Sequence, residues 1–532
     1  MAANLRSPAA TPTFPGLDRQ QSNTHLKNMN ITTRELVGEE AEALVMDQIT
    51  QHSQGVRQSL SAFEAKSAVV AWLVALRGVE ELINIPMFDF HDGEALQRLL
   101  AIRLDGLYLP QTSQISELAS EELAKGVVER LEQTLFMASA AGRLYRARGW
   151  EGGDALRTLG GAIGFFQSRR RQMIALLYCM PSYCSGQQRV AKSAGLDQFL
   201  TIVEHSCVGL TGLYRHLILA RIYDDYKLTV EQFSFHGNYA LEMLNHAFLE
   251  PERLGITEVP HDRVAASILT RQLPLPKGQL FSAAELCNDL LTMEASYAEF
   301  DLGKTEFGAM ARFIASCCHR TRDDYYIDLS AGELNTMMAS CGLSETAQRL
   351  LIYDGAGFED AVNSFAPFLA VGGTRMTTVT LLSRFAYSWK TTCLNKVKRF
   401  QIRSGFIFED QVKKELTRQG FTITDLKRIE RREFDVVATK NGVIYNIQCK
   451  NNLVDLARME KNPKLFARYN IRLDKYYADA LRKEEGREEL LRRKLGLSTV
   501  KHAVLSKFPV ATKNPRVLSF REIDQFSVRF VS

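Results

Sequence analysis

No stretch of this 532-residue chain reaches the roughly 18 consecutive apolar residues that a bilayer-crossing helix needs, so no membrane span is expected. The apolar run from Ala68 to Leu76 is too short. Residues 1–33 are rich in Ser, Thr, Pro, Asn and Gln and lack a continuous apolar core; they read as a disordered tail and not as a secretory signal. No repeat of fixed period is visible. The glycines at Gly152, Gly153, Gly160, Gly161 and Gly164 are followed by no G-K-[ST] and preceded by no strand pattern, which excludes a phosphate-binding loop and with it an ATP-driven machine. Asp354 to Gly357 reads as a loop without the ligand spacing of a calcium site.

Cysteine is sparse and irregularly placed. Nine in a chain of this length form no disulfide scaffold and point to a reducing, cytoplasmic setting. Cys179, Cys184, His205 and Cys207 make a C-x4-C-x20-H-x-C series that fits zinc-finger spacing poorly. Cys317, Cys318 and His319 are adjacent, and neighbours on a helix diverge by about 100°, so they cannot easily share one tetrahedral ion.

What is present is ordinary globular composition, 45% apolar and 24% charged, enough for two to four domains. From Arg34 to Leu275 the pattern is helical: Glu39 to His52, Gln58 to Glu81, Glu121 to Arg148 and Gln198 to Tyr226 carry apolar residues at three-and-four spacing. Pro274 to Gly278 is the clearest break, followed by a second helical block and connector over 276–395. Within it, Gly372-Gly373-Thr374 marks a turn before Val379 to Phe400, a short strand or helix. The expected layout is therefore multidomain, a mostly α-helical N-terminal region followed by an α/β domain over 396–532.

The charge is divided between these parts. Residues 396–532 hold 31 Lys and Arg against 17 Asp and Glu, while the rest holds 35 against 44, so the net +5 conceals a basic end on an acidic body. That is the footprint of a chain one end of which meets a phosphate backbone. Arg468, Arg472 and Lys475 fall at i, i+4 and i+7 and form one stripe on a helix, a candidate nucleic-acid contact or a plain solvated face. The run KVKRFQIR, Lys396 to Arg403, tracks phosphates or ends a charged helix.

The residues that carry chemistry lie between Gly405 and Lys450. Asn441-Gly442 is the dipeptide that supplies positive φ at a tight turn, flanked by Val, Ile and Tyr, so a β-hairpin is predicted there. Period-two alternation puts Asn446, Gln448 and Lys450 on one face and Tyr445, Ile447 and Cys449 on the other. In the preceding strand Glu433 and Asp435 share a face opposite Phe434 and Val436. Before them, Phe408, Val412 and Leu416 mark a helix ending at Gly420, with Glu409 in its first turn, where the macrodipole favours a carboxylate. Carboxylates, an amide oxygen and an ammonium can thus converge at the end of a small sheet.

The order Glu409 on a helix, Asp435 on a strand, a hairpin, then Gln448-x-Lys450 resembles the PD-(D/E)xK restriction-endonuclease-like superfamily, and Gln in place of the second acid resembles its Mrr-type branch. The resemblance covers the last quarter of the chain and continues through a helical segment from Leu453 to Leu495 and strands at Val500 to Phe508 and Arg516 to Phe520. It implies a restriction-endonuclease-like α/β domain with a small mixed sheet, hydrolysis of DNA phosphodiester bonds, and dependence on Mg²⁺ or Mn²⁺. Asp435, Gln448, Glu409 and the backbone carbonyl of Cys449 are the implied metal ligands, and Lys450 the residue that polarises water or neutralises charge on the phosphate. Phe434 stands where the family has proline before the aspartate, and Gln448 removes one negative charge, which favours a one-metal site. Double-stranded DNA is the expected partner, because the resemblance implies it and because Tyr476 and Tyr477 look like core or groove-lining residues and not a stacking platform. The helical region would sense, target or regulate, through a protein partner or a homo-oligomer. Two other classes remain: a DNA-binding protein with a degenerate nuclease fold, and a helical scaffold with an accessory C-terminal domain.

Overall fold

The computed structural model describes residues 33–85, 93–105, 125–150, 152–231, 234–239, 282–452 and 458–531. The expected tail, apart from Thr33, and the break at Pro274 to Gly278 lie outside the described residues. The described chain is mostly helical, with small sheets and one mixed sheet near the C-terminus. Among the described residues no helix is long and apolar enough to cross a membrane.

Strand β1 (Arg34–Val37) turns through Gly38, at φ +53°, into α1 (Gly38–Ser61), followed by α2 (Ala65–Asn84), α3 (Lys125–Arg148), α4 (Leu159–Tyr183) and α5 (Val208–Ile222). The helical stretch expected over Gln58 to Glu81 is interrupted because the Glu64 carboxylate accepts from the amides of Lys66 and Ser67, at 3.2 and 2.7 Å, and so caps a new helix. Gln198 to Tyr226 is helical as far as Ile222, with a π-helical turn over Val203–Cys207 inside it. Trp72 is fully buried and donates its indole N–H to the Met173 carbonyl at 2.9 Å, locking α2 to α4.

The region is not wholly helical. β2 (Lys227–Glu231) and β3 (Ser234–Gly237) join β1 in an antiparallel sheet of order β1-β2-β3. These strands are four or five residues long, and β1 pairs with a strand nearly 200 residues away, so no local period reveals them.

In the second block, α6 (Ala283–Ser296) opens with a capping box in which the Ser282 hydroxyl and the Glu285 carboxylate serve each other's backbone amides. It packs with α7 (Glu306–Cys318) against a sheet of β4 (Tyr326–Ser330), β5 (Leu369–Val371) and β6 (Thr374–Thr378), also not expected, in the order β4-β6-β5. Gly372 and Gly373 form the two-residue turn between β5 and β6, with Gly372 at φ +58°. Val379 to Phe400 is helical: α8 (Val379–Leu394) leads at once into α9 (Lys398–Arg418).

The C-terminal part continues through β7 (Thr422–Thr424), β8 (Arg428–Ile429), β9 (Arg432–Glu433), β10 (Val436–Lys440), β11 (Val443–Lys450), α10 (Pro463–Glu485), α11 (Glu488–Leu495), β12 (Thr499–Ser506), β13 (Val517–Ser519) and α12 (Phe526–Val531). The segment expected as one helix from Leu453 to Leu495 is divided, because Asn462 caps and Pro463 starts α10, and a further turn at Gly486-Arg487 precedes α11. Five strands form a sheet of order β13-β12-β11-β10-β7. β7, β10 and β11 pair antiparallel in that order; β12 is added parallel to β11, as a crossover through α10 and α11 requires, and β13 parallel to β12. Asn441 and Gly442, at φ 53° and 74°, make the tight turn between β10 and β11.

Both faces of this sheet are covered. Phe408, Val412 and Leu416 of α9, with Phe526 and Phe530 of α12, pack on Val436, Tyr445 and Ile447. Each such side chain contributes about 1.5–3 kcal/mol by burial. α10 covers the opposite face, and its buried residues Phe466, Leu473, Tyr477 and Leu481 belong to the same apolar core as the N-terminal helices. Arg171 of α4, 3% exposed, crosses that junction with a two-pronged pair to Glu460 at 2.9 and 3.0 Å and further bonds to the Val362 carbonyl and the Asn363 side chain, both at 3.0 Å.

Candidate functional site

β10 and β11 part company at the start of β10, and the candidate residues gather at that fork. Asp435 stands just before β10, and its Oδ2 accepts the Cys449 backbone N–H at 2.8 Å. On β11 the Lys450 ammonium donates to Gln448 Oε1 at 3.0 Å. The Lys450 carbonyl accepts from the Lys507 amide at 2.8 Å, and Asn451 just beyond donates to the Ser404 hydroxyl of α9 at 2.9 Å. The strand end is therefore held from both sides.

Glu409 approaches from α9 and is electrostatically coupled to Asp435. Burial raises its pKa first, the Asp435 carboxylate second, and Lys413 and Lys427 only partly offset them, leaving it at about 7. Asp435 is also raised, by burial first, while the Cys449 N–H and the Lys450 ammonium pull it down. The Cys449 thiol is held well above its usual range by burial and by the same two carboxylates, so a neutral thiol lies there and only its main chain offers a hard oxygen. A cleft of about 120 Å³ opens beside Asp435, lined by Lys413, Lys427, Asp425 and the β7 end at Ile423 and Thr424. Four sequence-predicted residues, Glu409, Asp435, Gln448 and Lys450, thus belong to one neighbourhood.

Three details differ from expectation. Glu409 is not in a first turn: α9 begins at Lys398, because Phe400, Ser404 and Phe408 extend the buried stripe through the basic run, so Glu409 sits mid-helix without help from the macrodipole. Glu433 does not join Asp435 on a strand. Glu430 and Arg431, at φ 48° and 65°, form a tight turn that folds β8 back on β9, and exposed Glu433 pairs there with Arg428. Finally, the polar face of β11 is not open. Asn446 is fully buried beneath α10 and donates to Glu484 Oε2 at 2.9 Å, while Arg487 holds the other Glu484 oxygen at 3.0 Å.

Arg468, Arg472 and Lys475 all lie exposed on the outer face of α10, as the stripe predicts. Tyr477 is fully buried, with its hydroxyl 3.1 Å from Ser506 Oγ. Its neighbour Tyr476 is instead 49% exposed, and its ring centroid lies 5.5 Å from the Lys450 ammonium. The sequence places Tyr476 and Tyr477 together as core or groove-lining residues, because adjacent tyrosines give no sign of which faces the core; the structure separates them. Lys413 was missed, although it lies one turn after Glu409.

Among the described residues no three His, Cys, Asp or Glu side chains gather as a metal-holding group. Neither Cys179, Cys184, His205 and Cys207 nor Cys317, Cys318 and His319 gather as such a group, and the carboxylates expected at the β10–β11 fork are two, Glu409 and Asp435. Compared with protein-family models, with curated proteins and with solved structures, the chain matches none.

The Glu409 shift has a consequence for stability. A carboxyl whose folded pKa is raised from 4.5 to about 7 favours folding while protonated; that contribution is complete below pH 4.5 and is lost as pH climbs through about 7. In metal-free buffer Glu409→Gln is expected to be more stable than wild type at pH 8 and equal to it below pH 4.5. Urea unfolding in EDTA at both pH values measures this, and a less stable variant at pH 8 would contradict it.

Proposed function

We propose that the C-terminal part is a divalent-cation-dependent endonuclease that hydrolyses DNA phosphodiester bonds, a member of the restriction-endonuclease-like group with a Gln-x-Lys variant of its motif. One observation carries the reading: Asp435, Gln448 and Lys450 are tied to the same strand end by two hydrogen bonds while Glu409 shares their electrostatic field.

The donor set fits Mg²⁺ or Mn²⁺. Two carboxylates, the Gln448 amide oxygen and the Cys449 carbonyl are all hard oxygen donors. The upward shift of both acids is the mark of half-buried negative charge that lacks enough positive charge beside it. When bound, the cation would polarise the phosphodiester and neutralise its developing charge. Lys450 places an ammonium beside the same oxygens, where it stabilises negative charge and is oriented by Gln448. The Cys449 N–H fixes the Asp435 carboxylate so that one oxygen remains directed by the main chain.

Supporting the choice of DNA are the basic balance of residues 396–532 and the exposed Arg468, Arg472 and Lys475 on the helix that flanks the site. The nine cysteines, all free, suit a cytoplasmic setting. The helical region would sense or target, since α10 carries both the flank of the site and the junction with the N-terminal helices. The test is cleavage of supercoiled plasmid by the full-length protein with Mg²⁺ and with EDTA. Lys450→Ala is expected to slow metal-dependent nicking by about 10²–10³-fold. Equal cutting by wild type and variant would remove Lys450 from the chemistry.

A further inference from the structure

The helix α10 carries two aromatic side chains beside its fully buried stripe: Tyr476, which stands exposed, and Tyr469, which is partly buried against the core shared with the N-terminal helices. Phe466, Leu473, Tyr477 and Leu481 bury its inner face. Tyr476, half exposed, stands beside Lys450, and Tyr469 lies seven residues earlier. Seven residues advance a helix by about 700°, so the two tyrosines fall on one line roughly 10 Å apart. Between them Arg472 places its guanidinium carbon 5.7 Å from the Tyr469 ring centroid, as the Lys450 ammonium stands 5.5 Å from that of Tyr476. The result is an alternating ladder of ring, cation, ring, cation that ends at the candidate site. Arg468 and Lys475 flank it, exposed; the nearby acid Asp479 is engaged by Arg482.

Resting on the nuclease reading above, we propose that this face of α10 is a track for single-stranded DNA, on which Tyr476 stacks against the base next to the phosphodiester held at Lys450. Rings interleaved with cations are what an unpaired strand requires: each base has a free face to stack, and each phosphate meets a positive charge. In duplex DNA those faces are covered by neighbouring base pairs, so a ring at Tyr476 has nothing to stack on. The substrate class is therefore DNA with an unpaired stretch at the scissile bond, and not continuous duplex.

The test measures binding of the full-length protein to a fluorescein-labelled 20-residue single strand and to the matching duplex by anisotropy, in EDTA so that no cutting occurs. Tyr476→Ala is expected to weaken single-strand binding about tenfold and to change duplex binding by less than about twofold; Tyr476→Phe, which keeps the ring, is expected to bind like wild type. Equal losses on strand and duplex, no loss with Tyr476→Ala, or a wild type that does not bind the single strand would each overturn the track. Plasmid cutting that depends on Asp435, together with single-strand binding indifferent to Tyr476, would keep the nuclease and remove the track. Ring-dependent binding without cutting in Mg²⁺ would do the reverse.

Discussion

Asp435→Asn is expected to lower the rate of metal-dependent DNA cleavage by about 10³-fold while leaving the protein folded. The carboxylate is the acid most firmly placed at the fork, and removing its charge removes several kcal/mol of electrostatic stabilisation, roughly three powers of ten in rate. Asparagine is the informative replacement. Asp435 Oδ2 satisfies the Cys449 N–H, and a buried amide left without an acceptor costs about 1–3 kcal/mol. Alanine would mix that loss with the loss of charge, whereas asparagine keeps a side-chain oxygen in reach of the N–H. Single-turnover cleavage with saturating Mg²⁺, beside thermal unfolding of both proteins, separates the two effects. Full activity in a folded Asp435→Asn protein would place the chemistry elsewhere.

Arg171→Ala is expected to destabilise the chain by about 3–5 kcal/mol, the largest effect on folding foreseen for any single side chain discussed above. Its guanidinium and the Glu460 carboxylate are both removed from water, at 3% and 0% exposure, so deleting Arg171 leaves a buried carboxylate without its two-pronged partner, in the field of the buried Arg215 guanidinium. The Val362 carbonyl and the Asn363 side chain lose donors at the same time. The double change Arg171→Met with Glu460→Leu is expected to recover part of the loss, because two apolar groups of similar size replace the pair while the buried Arg215 loses the Glu460 charge beside it. Urea unfolding of the three proteins measures this, and a single variant within about 1 kcal/mol of wild type would show that Arg215 or water compensates Glu460. Arg171 also ties the N-terminal helices to the segment that leads into α10, so its loss should loosen the flank of the site.

The parts of the fold legible in the sequence are those specified locally. Asn441-Gly442 could only be a turn of positive φ, and Phe408, Val412 and Leu416 could only be one buried helical stripe; both hold. What depended on distant partners was hidden. β1 to β3 and β4 to β6 are three to five residues long, too short for a period to emerge. The start of α9 was obscured because a run of cations masks the continuity of Phe400, Ser404 and Phe408. Alternation placed Gln448 and Lys450 together correctly, but its extension to Glu433 failed where Glu430 and Arg431 turn the chain back. Burial of the polar face of β11 was out of reach as well, since only the seating of α10 on Asn446 decides it.

The nuclease reading depends on Glu409, Asp435, Gln448 and Lys450 forming one cation site, and Mn²⁺ binding followed by electron paramagnetic resonance at pH 8 tests that without any substrate. Wild type is expected to show saturable binding that Asp435→Asn weakens at least about tenfold and that weakens as pH falls below about 7, where Glu409 takes up a proton. Binding indifferent to Asp435 and to pH, or no saturable binding at all, would contradict it.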